Sequence, residues 1–352
     1  MPGVREPVTS RVEVVPDGSD EDEPSSKCPV EIPPALPVVA APPPPPEGRC
    51  AKPPRALARK LEKSVRNSWT ITREGARLDV AFDCDAMAPQ IRELVIETSS
   101  GHGFTLQLDR VRPRDDGDYD LLRLEYGGEG NPYDLVTSDE WERIALGGAT
   151  VRVGVLPRAR FEAALKVMRA ATHVRATQSG GDGGLSMASS SSDFHIAYRL
   201  VDADGHGRQA SWAGYRGSDD QEIWLPLELA ADAYASVAGT QAFVDALLVR
   251  DPIEEDRDFF TQRFAAARDR NADFGIWYVR ERLLAMSREL GDLRIASDLL
   301  DIARRNGEHS VARSQATAVD ALVRITGYDP RYERGDPRSP FDAAADMVRV
   351  CG

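Results

Sequence analysis

Histidine and cysteine, the side chains that most often serve metal binding and nucleophilic catalysis, are scarce in this chain of 352 residues. Its 5 histidines and 4 cysteines form no HExxH, H-x-H or C-x-x-C motif, the spacings that zinc sites commonly use. The chain has no G-x-S-x-G nucleophile elbow. Its glycine-rich run at 179–184 is not followed by Lys-Ser/Thr, as a phosphate-binding loop requires. The sequence therefore predicts no catalytic residue, no metal and no cofactor.

Two acidic turns offer oxygen ligands of the kind that calcium prefers. Asp202, Asp204 and Gly205 stand where a calcium loop would begin, but such a loop needs a bidentate glutamate at its twelfth position. That position here is Ala213. An Asp-Gly pair between two alternating runs is typical of a β-hairpin, so we predict a hairpin turn. The turn at 115–118 has the same interpretation.

One cluster of aromatic residues has the composition of a recognition surface. Trp212, Tyr215 and Trp224 surround the polar segment 216–220, and aromatic rings beside adaptable polar groups are typical of binding hot spots. The alternative is that these are core aromatics flanking a hairpin, with a last short strand at 222–224. We retain all three as candidate binding residues.

The elements that would position these residues fall into three regions, and the first is a proline-rich head. Fifteen of the 24 prolines lie within residues 1–54, and no aromatic residue precedes Trp69. A segment of this composition cannot bury enough apolar surface to fold, so we expect a disordered, acidic tether. Five consecutive prolines, Pro42–Pro46, could contact an SH3- or WW-type domain.

The second region, residues 55–225, has the two-residue period of half-buried strands. Examples are Leu78–Cys84, Phe104–Leu108, Leu122–Tyr126, Val151–Val155 and Phe194–Leu200. A helix is expected after Pro157, and the Gly/Ser-rich stretch 178–192 indicates a flexible loop. The pattern predicts an α+β domain with a mostly antiparallel sheet.

The third region, residues 226–352, has the 3.6-residue period of helices. We predict helices at 227–238, 241–250, 253–270, 274–290, 293–305, 311–326 and 341–350. A shift of 36 residues superposes Gly291 on Gly327 and Phe264 on Leu300, which indicates stacked helix pairs that each end in glycine.

A family resemblance rests on the second of these units. Leu290-Gly291-Asp292, Leu299-Leu300, Val311-Ala312-Arg313 and Ile325-Thr326-Gly327 resemble the HEAT-like repeats of the phycobiliprotein-lyase type. One unit matches well and its predecessor at 253–291 loosely, so the resemblance covers less than a third of the chain. It implies an all-α solenoid that binds protein partners and brings no catalytic residues.

The leading functional expectation is a non-enzymatic scaffold that binds a protein partner through the helical surface. Its candidate contact residues, which look exposed in the repeat pattern, are Arg280, Glu281, Arg288, Arg313, Gln315 and Arg324. The alternative is an enzyme with a site between lobes of the α+β domain, near the 178–192 loop. A net charge of −13 argues against duplex nucleic acid as a partner.

The cellular compartment is predicted from the cysteines and from the amino-terminal segment. No window approaches the ~18 apolar residues of a membrane span, and no secretory signal is evident, so the cytoplasm is expected. Cys28 and Cys50 bracket the proline stretch and could form a disulfide or remain thiols, and whether Cys84 and Cys351 meet is open. A Cys28–Cys50 bridge would favour a periplasmic or surface protein whose true start lies upstream.

Overall fold

The computed structural model describes residues 28–37, 39–46, 77–82, 88–100, 105–127, 149–171, 174–179, 193–215, 221–269, 277–304, 309–328 and 340–351. Its strands are β1 (Arg77–Phe82), β2 (Ile91–Ser100), β3 (Thr105–Pro113), β4 (Tyr119–Gly127), β5 (Ala149–Leu156), β6 (Val174–Ser179), β7 (Asp193–Asp202), β8 (Gly207–Tyr215) and β9 (Leu248–Arg250). Its α-helices are α1 (Arg158–Ala171), α2 (Gln221–Ala238), α3 (Gln241–Asp245), α4 (Glu254–Asp269), α5 (Trp277–Leu290), α6 (Ala296–Arg304), α7 (His309–Thr326) and α8 (Pro340–Cys351). None of these helices has the length and apolarity needed to cross a membrane.

The expected combination of helices with an antiparallel sheet is confirmed. Seven strands form one sheet in the order β8-β7-β2-β3-β4-β5-β9, and β1 pairs with β6 in a separate two-stranded sheet. The pairing of β2 with β7 is irregular between Ile91 and Glu93. Beyond that point, alternate residues of β2 face opposite sides of the sheet, as the pleat requires.

The first face of the sheet is covered by α1 and α2, and we call it the α1–α2 face. Leu94 and Ile96 of β2 belong to its core, together with Phe161 of α1 and Leu227 and Tyr234 of α2. The hairpin between β7 and β8 is confirmed, because Gly205 has a φ of 87° and the Asp202 N–H bonds to the His206 carbonyl at 2.8 Å. The Asp202 carboxylate accepts from the Asp204 and His206 N–H groups, as expected of a turn.

The second face, which we call the α4–α5 face, joins the sheet to the helical region in one core. Leu106 and Leu124 of the sheet pack in the same buried cluster as Phe260 of α4, Leu283 of α5 and Leu322 of α7. The helical region therefore buries apolar side chains against the sheet itself. The expected boundary near residue 226 falls inside α2, which packs on the α1–α2 face.

Contacts between the C-terminal helices connect residues separated by about one repeat length. Arg280 of α5 donates to the Ser314 hydroxyl of α7 at 3.0 Å, and Arg324 of α7 pairs with Glu289 of α5 at 3.0 Å. The earlier residue of α5 contacts the earlier residue of α7, and the later residue contacts the later one. The two helices therefore run parallel, side by side. Arg294, just before α6, likewise pairs with Asp258 near the start of α4, at 2.5 Å.

Several helix ends agree with the sequence predictions, and two predicted elements do not. Gly291 and Gly327 directly follow α5 and α7, as predicted, and Gly327 has the positive φ of 73° that favours glycine at a helix end. The helix predicted at 241–250 is wrong in its second half, because Leu248–Arg250 instead pairs with β5 as an edge strand. The strand predicted at 222–224 is also wrong, since these residues lie within α2.

Residues 28–37 and 39–46, which we call the strap, lie against the body, whereas the sequence placed them in a free tether. They contain no helix or strand in 28–37 and 39–46, as their proline content predicts, but they are fixed at both ends. Cys28 forms a disulfide with Cys351, and the Gly207 N–H donates to the Pro43 carbonyl at 2.8 Å. The Cys28–Cys50 bridge considered from the sequence is therefore wrong.

Gly207 allows the close approach of the strap to the edge strand β8. A β-carbon at this position would lie 2.3 Å from the Leu200 carbonyl oxygen and 2.9 Å from ring carbons of Pro42. Because the carbonyl belongs to the backbone of β7, it could not move aside without disturbing the hairpin. The absence of a side chain thus lets the proline segment lie directly on the sheet edge.

Candidate functional site

A cleft of about 260 Å³ lies on the α4–α5 face, between the sheet and α4. Its apolar walls come from three parts of the chain: the sheet contributes Val95 and Ala197, α4 contributes Phe259 and Ala266, and the strap contributes Val39. Strands β2 and β7 are adjacent and antiparallel, which is why their residues form one continuous floor. The strap lies at the rim of this cleft.

Two carboxylates and three guanidinium groups form an ion-pair network at its mouth. Glu93 of β2 pairs with Arg112 at 2.8 Å and with Arg199 at 3.0 Å. Glu255, in the first turn of α4, pairs with Arg110 at 2.7 Å and with Arg112 at 3.2 Å. Because Arg110 and Arg112 are two positions apart on β3, their side chains emerge on the same face. The network links three strands to the helix above them.

Arg110 is the most buried cation of this network. Its side chain is 9% exposed, and its guanidinium carbon lies 4.9 Å from the centre of the Phe259 ring, a cation–π distance. Burial and the neighbouring positive charge of Arg112 lower the pKa of Arg110 more than Glu255 raises it. Glu255, its paired carboxylate, is 57% exposed. A buried positive charge therefore faces a counter-ion that is largely in solvent.

The floor of the cleft holds a second charge cluster, centred on Glu97. This fully buried carboxylate receives two hydrogen bonds from Arg263 of α4, one of them at 2.8 Å, and lies 2.8 Å from His195 Nε2. Burial alone would raise the pKa of Glu97. The charge of Arg263 and the hydrogen bonds from His195 and Arg263 outweigh burial and hold the pKa well below its usual range.

Glu97 is therefore a fixed anion and a poor proton carrier. General acid–base catalysis is most effective when the pKa of the group lies near the working pH, and that of Glu97 is far below neutral. Ser99, two positions further along β2, accepts a hydrogen bond from Arg282 of α5 at 2.9 Å, and both side chains are buried. These contacts connect α4 and α5 to β2, which is a structural use of charge.

A comparable network on the α1–α2 face is closed to solvent. Asp109 and Arg123 make two hydrogen bonds, at 2.9 and 2.7 Å, and both side chains are at most 1% exposed. The Tyr234 hydroxyl of α2 donates to Asp109 at 2.6 Å, and Arg123 also donates to the Ala238 carbonyl at 2.9 Å. Burial, followed by the charge of Asp109, raises the pKa of Tyr234 well above its usual value.

Of the candidate binding residues singled out from the sequence, those whose side chains are described lie on the helical region, and none of them lines the cleft. Gln315 was expected to be exposed and is instead buried, where its amide donates to the Ala303 carbonyl at 3.1 Å. Arg280 and Glu281 are half-buried at the start of α5, and Arg280 bonds to Ser314. Arg288 pairs with Asp320 at 2.6 Å, and Arg324 pairs with Glu289. Arg324 is exposed, as predicted, whereas Gln315 is buried and Arg280, Glu281 and Arg288 are half-buried where α5 and α7 pack side by side.

Several of those predictions concern residues or side chains outside the described part of the chain. The backbones of Trp212 and Tyr215 lie in β8 and that of Trp224 in α2, but the description does not extend to their side chains, nor to that of Arg313. The loop between the aromatic residues, 216–220, also lies outside it. Of the predicted flexible loop 178–192, residues 178–179 belong to β6, and 180–192 are not described.

Strand β2, which supplies Glu93, Val95, Glu97 and Ser99, was not predicted from the sequence. Its signal was present, since Leu94 and Ile96 alternate with these residues, a period of two that predicts a strand. Two glutamates within a central strand are uncommon, because β-strands are depleted in Glu. The charges become acceptable only when Arg112, Arg199 and Arg263 face them from other elements.

Among the described residues, no group of three or more His, Cys, Asp or Glu side chains is placed to hold a metal ion. No protein-family model, curated protein or solved structure matches this chain.

Proposed function

We propose that the protein is a non-enzymatic binding protein whose ligand site is the cleft between the sheet and α4. One observation carries this proposal: apolar walls and converging charged groups meet in one concave site, which is the usual composition of a ligand pocket. The strap and α4 on either side would surround a bound molecule.

The alternative is an enzyme, and a cleft containing groups of perturbed pKa gives it some support. The particular perturbations favour binding. Glu97 is held as a carboxylate by Arg263 and His195, and arginines serve mainly to orient and neutralise anions. A chemical step would need a nucleophile or a base aimed into the cleft. The described residues that line the cleft include no serine, cysteine or histidine, and its four carboxylates, on Glu93, Glu97, Glu255 and Asp258, are each paired with an arginine.

Filling the cleft tests this proposal. We expect Ala266→Phe to place a ring in the cleft and to abolish binding of small aromatic probes (acids, amides and alcohols) detected by saturation-transfer NMR. The control is Ala163→Phe, which changes an exposed residue of α1 on the opposite face. Probes that bind equally to both variants, or to neither variant nor the wild type, would contradict the proposal.

Protein binding through the HEAT-like region is a second candidate. The parallel packing of α5 against α7, with contacts between residues such as Arg280 and Ser314, supports the proposed stack of helix pairs. Part of α5, however, faces the protein's own sheet, where Arg282 bonds to Ser99. A partner would therefore use the outer helical surface near Arg280, Glu281 and Arg313.

Charge reversal separates this second candidate from the first. If the helical surface binds a protein, the full-length Arg280→Glu/Arg313→Glu variant loses a partner that wild type retains in a quantitative pull-down. Undiminished recovery would contradict this surface. Binding of small probes in the cleft should be the same in both proteins.

Two further proposals concern the strap. A disulfide between Cys28 and Cys351 supports residence in an oxidising compartment, since cytosolic disulfides are uncommon. An SH3- or WW-type domain that binds Pro42–Pro46 would have to displace the contact between Pro43 and Gly207. Such a partner would therefore compete with attachment of the strap to β8.

A further inference from the structure

We infer that the cleft binds a monocarboxylate with a small apolar body, and that Arg110 and Arg112 recognise its carboxylate. This inference rests on the proposed function. It is carried by the charge balance at the mouth, by the solvent exposure of Glu255, and by the apolar surface beside the two arginines.

The ion-pair network at the mouth of the cleft contains one more cation than anion. Two other carboxylates line the cleft and lie outside this network: Glu97 pairs with Arg263, and Asp258 pairs at 2.5 Å with Arg294, which also pairs with Asp292. The remaining charged groups of the lining are the guanidinium groups of Arg110, Arg112 and Arg199 and the carboxylates of Glu93 and Glu255. Because this network has three cations and two anions, an anionic group is accommodated there more easily than a cationic one.

The site for that charge is beside Arg110 and Arg112. Glu255 is the shared carboxylate of both, at 2.7 and 3.2 Å, and its side chain is 57% exposed. An exposed ion pair contributes little to stability, so Glu255 can turn into solvent at small cost. A ligand carboxylate would then occupy the same place, where planar guanidinium groups offer paired N–H donors.

The size and apolar character of the rest of the ligand are inferred from the residues that line the cleft. Phe259 lies beneath Arg110, and Val95, Ala197, Ala266 and Val39 complete an apolar surface next to the charges. The cleft volume of about 260 Å³ is below the usual ~300–1,000 Å³ for drug-sized ligands. A phenyl ring or a short aliphatic chain is the appropriate size.

The experiment compares two probes of the same shape and different charge. By calorimetry with the full-length, oxidised protein, we expect phenylacetate to bind at least ~10-fold more tightly than phenylacetamide, since hydrogen bonds to a charged group are stronger than those between neutral groups. Added salt should weaken phenylacetate binding and leave phenylacetamide binding nearly unchanged.

The variant Arg112→Gln is expected to remove most of this preference while phenylacetamide still binds. Arg112 is 46% exposed, so the substitution should not prevent folding. Arg158→Gln, which changes an arginine that is 57% exposed beside Glu162, is the control and should keep the preference.

The outcomes separate the inference from the proposed function. Equal affinities for the two probes in the wild type would overturn the carboxylate inference and leave a binding cleft in place. No binding of either probe would contradict both. The tripeptide Ala-Ala-Phe, with a free or an amidated C-terminus, identifies the source of the carboxylate. Tighter binding of the free acid than of phenylacetate would assign a peptide C-terminus, and weaker binding a small molecule.

Discussion

The two faces of the sheet contain arginine–carboxylate clusters of similar chemistry and different surroundings. On the α1–α2 face, Asp109 and Arg123 are closed off from solvent, and Tyr234 satisfies a further lone pair. On the α4–α5 face, Glu97 is equally buried, but its partner Arg263 lines a cleft. The same kind of ion pair thus lies in a sealed core on one side and at the base of an open site on the other.

This difference in burial determines whether a charged pair contributes to stability alone or also to ligand recognition. Desolvating two charges is costly, and removing one partner in a closed core leaves the other without compensation. Next to a cleft, water or a ligand can reach the remaining charge. We therefore expect the closed cluster to act in stability alone and the open side to combine stability with recognition.

The largest effect is expected from breaking the closed cluster. Arg123→Met should destabilise the protein by about 3–5 kcal/mol, because it leaves the Asp109 carboxylate buried and uncompensated. Urea unfolding followed by circular dichroism measures this change. The double variant Arg123→Met/Asp109→Leu, which removes both charges, should recover much of the loss. A single variant as stable as wild type would show that the cluster is not closed.

The strap gives the next largest effect. Cys28→Ser should lower the free energy of unfolding by about 2–4 kcal/mol, since the Cys28–Cys351 bridge restricts the unfolded chain. The difference from wild type should vanish when both proteins are reduced. Cys50→Ser is the control, because it would break only the alternative Cys28–Cys50 bridge. A loss with Cys50→Ser equal to that with Cys28→Ser would contradict the bridge to Cys351.

The charge cluster beneath the cleft should be more tolerant than its closed counterpart. Glu97→Gln is expected to cost about 1.5–3 kcal/mol, the value of hydrogen bonds to a charged group, because water in the cleft can reach Arg263. The matched variant on the other face, Asp109→Asn, should cost more. If Glu97→Gln lowered the free energy of unfolding as much as Asp109→Asn or more, the proposed difference between an open and a closed charge cluster would be contradicted.

The pH dependence of this cluster has a definite sign. The pKa of Glu97 is lower in the folded protein than in the unfolded chain, so the folded state binds fewer protons in acid. Its contribution to stability is complete above the unfolded pKa of about 4.3 and falls as the pH drops below that value. The difference in the free energy of unfolding between wild type and Glu97→Gln should thus shrink as the pH is lowered from 6 to 3. A difference that stays constant over this range would contradict a lowered pKa of Glu97.

The smallest effect on stability is expected at the mouth. Glu255→Gln should change the free energy of unfolding by less than about 1 kcal/mol, because its side chain is largely exposed. It should increase the affinity for phenylacetate, since it removes the carboxylate that competes for Arg110 and Arg112. Unchanged or weaker phenylacetate binding, measured by calorimetry, would contradict this account of the mouth.

Periodicity predicted much of the fold and little of the site. Local sequence patterns predicted two kinds of feature correctly. These are the strands β3, β4, β5 and β7, from their alternation, and the ends of α5 and α7, from the glycines that follow them. The cleft depends on Glu93 and Glu97 of β2, Arg110 and Arg112 of β3, and Arg263 of α4. Those residues are charged and separated in sequence, so no local pattern indicated that they face one another.

By itself, the sequence determined many of the strands and helices, the hairpin after Asp202 and the helix ends at Gly291 and Gly327, because each depends on neighbouring residues. The tertiary structure decided that the helical region shares a core with the sheet, that Gln315 is buried, and that Cys28 meets Cys351, 323 residues away in the chain. It also decided that Glu97 is tolerated inside the protein. A buried carboxylate is stable only when hydrogen bonds or an opposite charge compensate its desolvation, and the guanidinium group that does so here, on Arg263, is 166 residues distant.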